Sequence, residues 1–231
     1  MTQWQEIYTT NTLTSGAARL AVNKFGYNPT VGGSYESVWD GANVYVYIDT
    51  PGTAQVTSSE SDDDNGGTVE VIGLDDNYLF ASETLEIGGA AGTQTFARVY
   101  RARMVSANTG NSNVGNVSVT VDSKVSALIR ATYGQTLMCV YTTPANYRGF
   151  LTQIDLGSQK DQEHQVRFVA REIDNGNAWN TKAFITLRGG FLEKGFHAPL
   201  LIPPKTDIEI QALAGATSAL SASFEMYLQR I

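Results

Sequence analysis

A chain of 231 residues is long enough for one large β-sandwich or two small β-domains, each with its own core. Hydrophobic residues at 42% and charged residues at 17% fit a well-packed globular protein. The net charge of −7, with only 16 Lys and Arg, argues against direct genome contact, because holding phosphate requires enough cations to displace its counterions.

Cys139 is the single cysteine, set between Met138 and Val140, so an intrachain disulfide is excluded and a buried, inert thiol is expected. The first residues carry neither a basic stretch nor an apolar core of a signal peptide, and no apolar run is long enough to span a bilayer. Synthesis in a reducing cytoplasm is the expectation.

Residues 1–41 are polar and weakly periodic, and read as an extended arm with little apolar area of its own. Its aromatic residues Trp4, Phe25, Tyr27, Tyr35 and Trp39 are the expected anchors, seated either on the arm's own domain or on a neighbouring subunit. Gly16–Val22 offers only a short stretch of helical spacing.

From Val44 the period becomes two. Val44, Val46 and Ile48 alternate with Tyr45 and Tyr47; Val69 and Val71 flank Glu70; Leu85 and Ile87 flank Glu86; Val117, Val119 and Val121 alternate with polar residues. Short alternating runs between turn residues predict a first β-sandwich or barrel over 42–122. A second, jelly-roll-like sandwich is predicted over 123–231. Its strands carry Phe150, Ile154 and Leu156, then Val166, Phe168 and Ala170, then Ala183–Leu187, Ile208–Ala212, and a final run through Phe224 and Leu228. The fold class is therefore all-β: an extended N-terminal arm followed by two β-sandwich domains.

The run Glu60-Ser61-Asp62-Asp63-Asp64-Asn65-Gly66 clusters oxygen ligands, yet its spacing fails the calcium loop, with Ile72 where a bidentate Glu is needed. It reads as a solvated hairpin tip. Neither His164 nor His197 lies beside a nucleophile motif, and the carboxylates Glu83, Glu86, Glu209 and Glu225 alternate with apolar neighbours as solvent-face residues do. No catalytic residue, metal or cofactor is expected. Trp179 stands in a polar turn, where an exposed indole suits a protein interface, a sugar site, or a ring folded back over the domain edge. Arg101 and Arg103 share one strand face and are expected either to pair with acidic residues or to dock a partner.

Several segments taken in order are familiar. Asn23–Pro29 with Glu36–Gly41, then Val69–Asp75, Phe96–Ala102, Asn113–Val117 and Gly134–Met138, together resemble structural proteins of tailed bacteriophages, particularly marine and cyanobacterial ones. The resemblance implies a non-enzymatic virion component, foremost a capsid decoration or cement protein. Such a protein is commonly a homotrimer and sits on the outer capsid surface, bound to the major capsid protein, with no membrane and no nucleic acid as partner. The alternative is a glycan- or receptor-binding module of a fibre or neck.

Overall fold

The computed structural model describes residues 19–64, 66–108 and 110–231. Trp4, and residues 16–18 of the short helical candidate, lie outside them; the rest of that candidate, 19–22, is strand.

Fifteen strands follow in chain order, with no α-helix among the described residues. They are β1 (Arg19–Val31), β2 (Glu36–Ser37), β3 (Gly52–Thr53), β4 (Gln55–Ser58), β5 (Thr68–Leu74), β6 (Phe80–Glu86), β7 (Thr95–Phe96) and β8 (Arg98–Ser106). After them come β9 (Val117–Val121), β10 (Lys124–Ile129), β11 (Val140–Thr142), β12 (Tyr147–Glu172), β13 (Trp179–Ile202), β14 (Thr206–Ala214) and β15 (Ser218–Arg230). The all-β sandwich class expected from the alternating runs is what the chain adopts.

The chain divides into two compact units, at different places from those the sequence suggests. Among the described residues, one joins those up to Val44 with Cys139–Ile231; the other is Tyr45–Met138. The described part of the expected arm, 19–41, is thus part of a domain. β1 runs antiparallel to β15 from Arg19↔Gln229 to Val31↔Ser218, and β2 pairs with β14. The strand was hidden because its inward positions include Lys24, Gly26 and Asn28, which a hydrophobic pattern does not register although all three are buried. Gly26 permits close approach: a methyl there would collide with the Val38 carbonyl oxygen and the Cys139 amide.

In this first unit the strand order is β1-β15-β12-β14-β11, with β13 on β12 and β2 on β14. β12 is one strand of 26 residues where the sequence suggests two. Its first half pairs with β15, its second half with β14, and β13 lies along its other edge over both halves. The β12–β13 ribbon bends where pairing lapses between Ser158 and Glu163 on one strand. The facing residues of the other are Gly189 and Gly190, at φ 64° and 72°, a backbone region that glycine enters without a steric penalty. At the bend this one sheet folds over, and the inner faces of its two halves meet at Phe168 and Phe224, whose rings pack edge to face at 5.6 Å. Along β15, Leu220, Ala222, Phe224, Met226 and Leu228 are buried while Ser221 and Glu225 are exposed.

The second unit contains the sheets β10-β9-β4, β3-β7 and β6-β5-β8. Its first segment is not a strand and does not keep the expected alternation: Tyr45, Tyr47 and Ile48 are buried, whereas Val44 (in the first unit) and Val46 are about half exposed. The Tyr45 hydroxyl lies 2.9 Å from the Ser126 carbonyl oxygen, so this phenol enters the core with its polar end satisfied. The acidic run differs from a solvated tip as well. Ser61–Asp63 is a 3₁₀ turn, and Asp63 is buried. Its carboxylate accepts hydrogen bonds from Ser58 Oγ (2.6 Å), Val114 N (2.6 Å) and Gly115 N (2.8 Å). Burial raises its pKa, but these three donors outweigh burial and leave it lowered. Asp63 therefore ties two loops of the unit together.

Candidate functional site: two outward faces of the first unit

Each half of the folded sheet of the first unit has one face on the core and one turned away from it. The outward face around the second half of β12 is a ladder of polar groups. β14 places Asp207, Glu209 and Gln211 there, with Arg171 and Arg167 opposite Asp207 and Gln211 on β12. Arg171 Nη2 donates to Asp207 Oδ2 at 2.6 Å and Thr142 Oγ1 to Asp207 Oδ1 at 2.7 Å. Arg167 Nε donates to Gln211 Oε1 at 2.8 Å, Gln211 Nε2 donates to Glu209 Oε1, and Ser37 Oγ donates to Glu209 Oε2 at 3.1 Å.

All three β14 side chains are buried, which corrects the expectation that Glu209 lies on a solvent face. Burial raises the Glu209 carboxyl to about 7; the hydrogen bonds from Gln211 and Ser37 pull it down, the Asp207 charge pushes it up, and Arg171 opposes that push. Two of the expected aromatic anchors cap this ladder. Tyr35 lies under the Arg167 guanidinium, 3.9 Å from ring centroid to Cζ, and Trp179 lies under that of Arg171 at 4.8 Å. Trp179 keeps 39% of its surface exposed, so it is folded back only in part.

The outward face around the first half of β12 has the opposite character. The register of β1, β15, β12 and β13 aligns four rows across four strands. They read Ala21–Tyr227–Phe150–Leu201, Asn23–Glu225–Gln153–Gly195, Phe25–Ser223–Asp155–Glu193, and Tyr27–Ser221–Gly157–Phe191. None of these residues is buried. Phe150 and Tyr227 stack at 4.7 Å with 14° between planes, and the Arg148 guanidinium lies 5.6 Å from the Phe150 centroid. In the middle rows Asn23 Nδ2 donates to Glu225 Oε1 (3.1 Å), while Ser223 Oγ and Gln153 Nε2 donate to the two oxygens of Asp155 (both 2.9 Å). The expected anchors Phe25 and Tyr27 thus belong to a sheet face shared with Phe150 and Tyr227. Those two were missed because a ring on the polar side of an alternating strand gives no sign by itself of its cross-strand neighbour.

β13 differs from every other long strand. Only Leu187 and Ile202 of its 24 residues are buried, and Trp179, Phe184, Phe191 and Leu201 are exposed at 39%, 55%, 71% and 55%. Among the described residues no strand pairs with its far edge.

The remaining expected residues serve their own surroundings. Trp39 is buried and its Nε1 donates to the Ala42 carbonyl at 2.9 Å, closing a turn of the first unit. In the second unit Arg103 Nε donates to Glu70 Oε2 at 2.6 Å across β8 and β5. Arg101, half-buried, is opposite Ile72 on β5. His164 is fully buried at the ribbon bend, with Nε2 3.4 Å from Ser158 Oγ. Cys139 is buried as expected, and burial raises its thiol pKa well above the ordinary value.

No family model matches this chain, and no curated protein matches it. Among solved structures, an infectious bursal disease virus Gx strain structure is similar at 10% identity and a TM-score of 0.29, covering 92% of this chain and 71% of that one. The Cry4Aa toxin of Bacillus thuringiensis is similar at 10% identity and a TM-score of 0.28, covering 91% of this chain and 52% of the toxin chain. The functional reading rests on the chain's own surfaces.

Proposed function

We propose that this chain is a non-enzymatic structural protein of a bacteriophage virion, a decoration protein that binds the outer surface of the major capsid protein and works as a homotrimer. The observation that carries the proposal is β13: a long edge strand that exposes the large apolar side chains Trp179 and Phe184 beyond its bend. Such an edge is a hazard for a protein that acts alone and an asset for one that is covered by a partner. The resemblance of the ordered segments to tailed-phage structural proteins supports the same reading. The acidic chain suits the outside of a shell, away from packaged DNA. Internal pressure strains the junctions between capsomers, and a clamp that buries a standard interface of about 1,600 Å² adds free energy at each symmetry-related site.

The test is co-sedimentation of the Phe184→Glu variant with capsids that lack this protein, alongside light scattering of the purified chain. Phe184 is exposed, so the fold should persist by circular dichroism while capsid occupancy falls at least tenfold. Unchanged occupancy would remove β13 as the docking element. A monomer mass at all concentrations would overturn the trimer.

A further inference from the structure

We propose that the open face of the β1-β15-β12-β13 sheet binds an uncharged polysaccharide chain. This goes beyond the capsid role and does not depend on it. Aromatic rings occupy the two ends of the face: Phe150 stacked on Tyr227 at one, and Phe25 with Tyr27 at the other. Between them lie side chains that make hydrogen bonds, centred on Glu225 and Asp155. From the Tyr227 row to the Tyr27 row is six residues along β1, roughly 20 Å at about 3.3 Å per residue. That length suits several sugar rings in a row and far exceeds what one monosaccharide needs.

The chemistry of each part matches a neutral sugar polymer. The flat C–H faces of pyranose rings stack on aromatic rings, and their hydroxyls pair with carboxylates and amides. Asn23, Ser223 and Gln153 already brace the two carboxylates from within the face, so Glu225 and Asp155 are held in place before any ligand arrives. An ionised carboxylate has about four acceptor positions, which leaves room for sugar hydroxyls beside these internal bonds.

Charge selects among possible occupants. The centre of the face carries the carboxylates Asp155, Glu193 and Glu225, and the guanidiniums Arg19 and Arg148 lie only in the border row beyond Tyr227. An anionic polymer would be repelled. A protein partner fits poorly too, because the cores of protein interfaces are depleted of Asp and Glu, which here hold the centre. β13 beyond the bend, with Trp179 and Phe184 exposed, is the more protein-like surface of this unit.

Affinity electrophoresis of the full chain tests the proposal, in native gels cast with a neutral glucan, mannan or galactan and, in parallel, with anionic alginate. At least one neutral polymer should retard the protein, and alginate should not. Tyr27→Ala and Tyr227→Ala should each weaken the retardation at least tenfold. Tyr227→Phe, which keeps the stacking ring, and Phe184→Ala, on the other half of the sheet, should leave it within twofold. Circular dichroism and urea denaturation confirm that each variant is folded. The proposal is overturned by no retardation in any neutral polymer, by equal or stronger retardation in alginate, or by retardation that Tyr27→Ala and Tyr227→Ala leave intact. Capsid co-sedimentation of the same variants separates the two readings: occupancy should survive Tyr27→Ala. Loss of capsid binding in that variant would make the face a protein contact and overturn the polysaccharide site, leaving the structural role standing.

Discussion

The two outward faces of the first unit obey the same strand alternation and end in opposite states. Around the second half of β12, the polar side of the sheet is buried and its charges are locked in pairs: Arg171 on Asp207, Arg167 on Gln211. Around the first half, the polar side stays open, and its aromatic rings share the surface with acids and amides. Alternation therefore determines which residues leave the core, but not whether they reach water. A charge that leaves one core and meets further protein must be paired there, which is why the covered face holds its arginines against acidic and amide partners.

The largest effect should come from breaking the covered ladder. Asp207→Ala leaves Arg171 partly buried without its carboxylate, and removing one partner of a buried pair costs about 3 to 5 kcal/mol. Urea denaturation measures it. A loss below about 1 kcal/mol would mean that the ladder is as well hydrated as the open face.

A smaller effect is pH-dependent. The Glu209 carboxyl is raised to about 7 by burial, above the unfolded value of about 4.3. The stability it contributes is complete below pH 4.3 and is lost as pH rises through 7, because the folded state then holds a proton that the unfolded chain has released. The difference is on the order of 3 kcal/mol across that window. The Glu209→Gln variant should flatten this slope in denaturation midpoints taken from pH 4.5 to 8. A slope that survives the substitution would assign the titration to another group.

The smallest effect belongs to the open face. Tyr227→Ala removes one ring of the Phe150 stack, worth about 0.5 to 1.5 kcal/mol beyond area burial. Thermal unfolding should show a shift of a few degrees at most. A loss equal to that of Asp207→Ala would erase the contrast between the faces.

Much of the sheet structure was legible from residue order. Alternation in Val117–Val121 and in Leu220–Leu228 marks β9 and β15 with their inward sides correct. The same period fails between Val44 and Ile48, where Tyr45, Tyr47 and Ile48 are buried together and the two valines stay about half exposed. Trp179, Tyr35, Phe25 and Tyr27 stood out as aromatics in polar segments, but not the arginines over the first two or the cross-strand rings beside the others. Those neighbours lie many residues away, as Tyr35 does from Arg167, and only strand register brings them together.

The sequence by itself determined the all-β class, because a period of two between Gly- and Asn-rich turns cannot be satisfied by a helix. It also determined that Cys139 is buried, since an apolar run flanks it on both sides. Only tertiary structure decided that residues 19–31 are a sheet strand, that β12 continues through its bend, and that Glu209 is buried while Glu225 is exposed. Both glutamates alternate with apolar neighbours in the same way. What separates them is tertiary: β2 pairs with β14 and brings Ser37 Oγ to the Glu209 carboxylate, and no local pattern encodes a contact made 172 residues away.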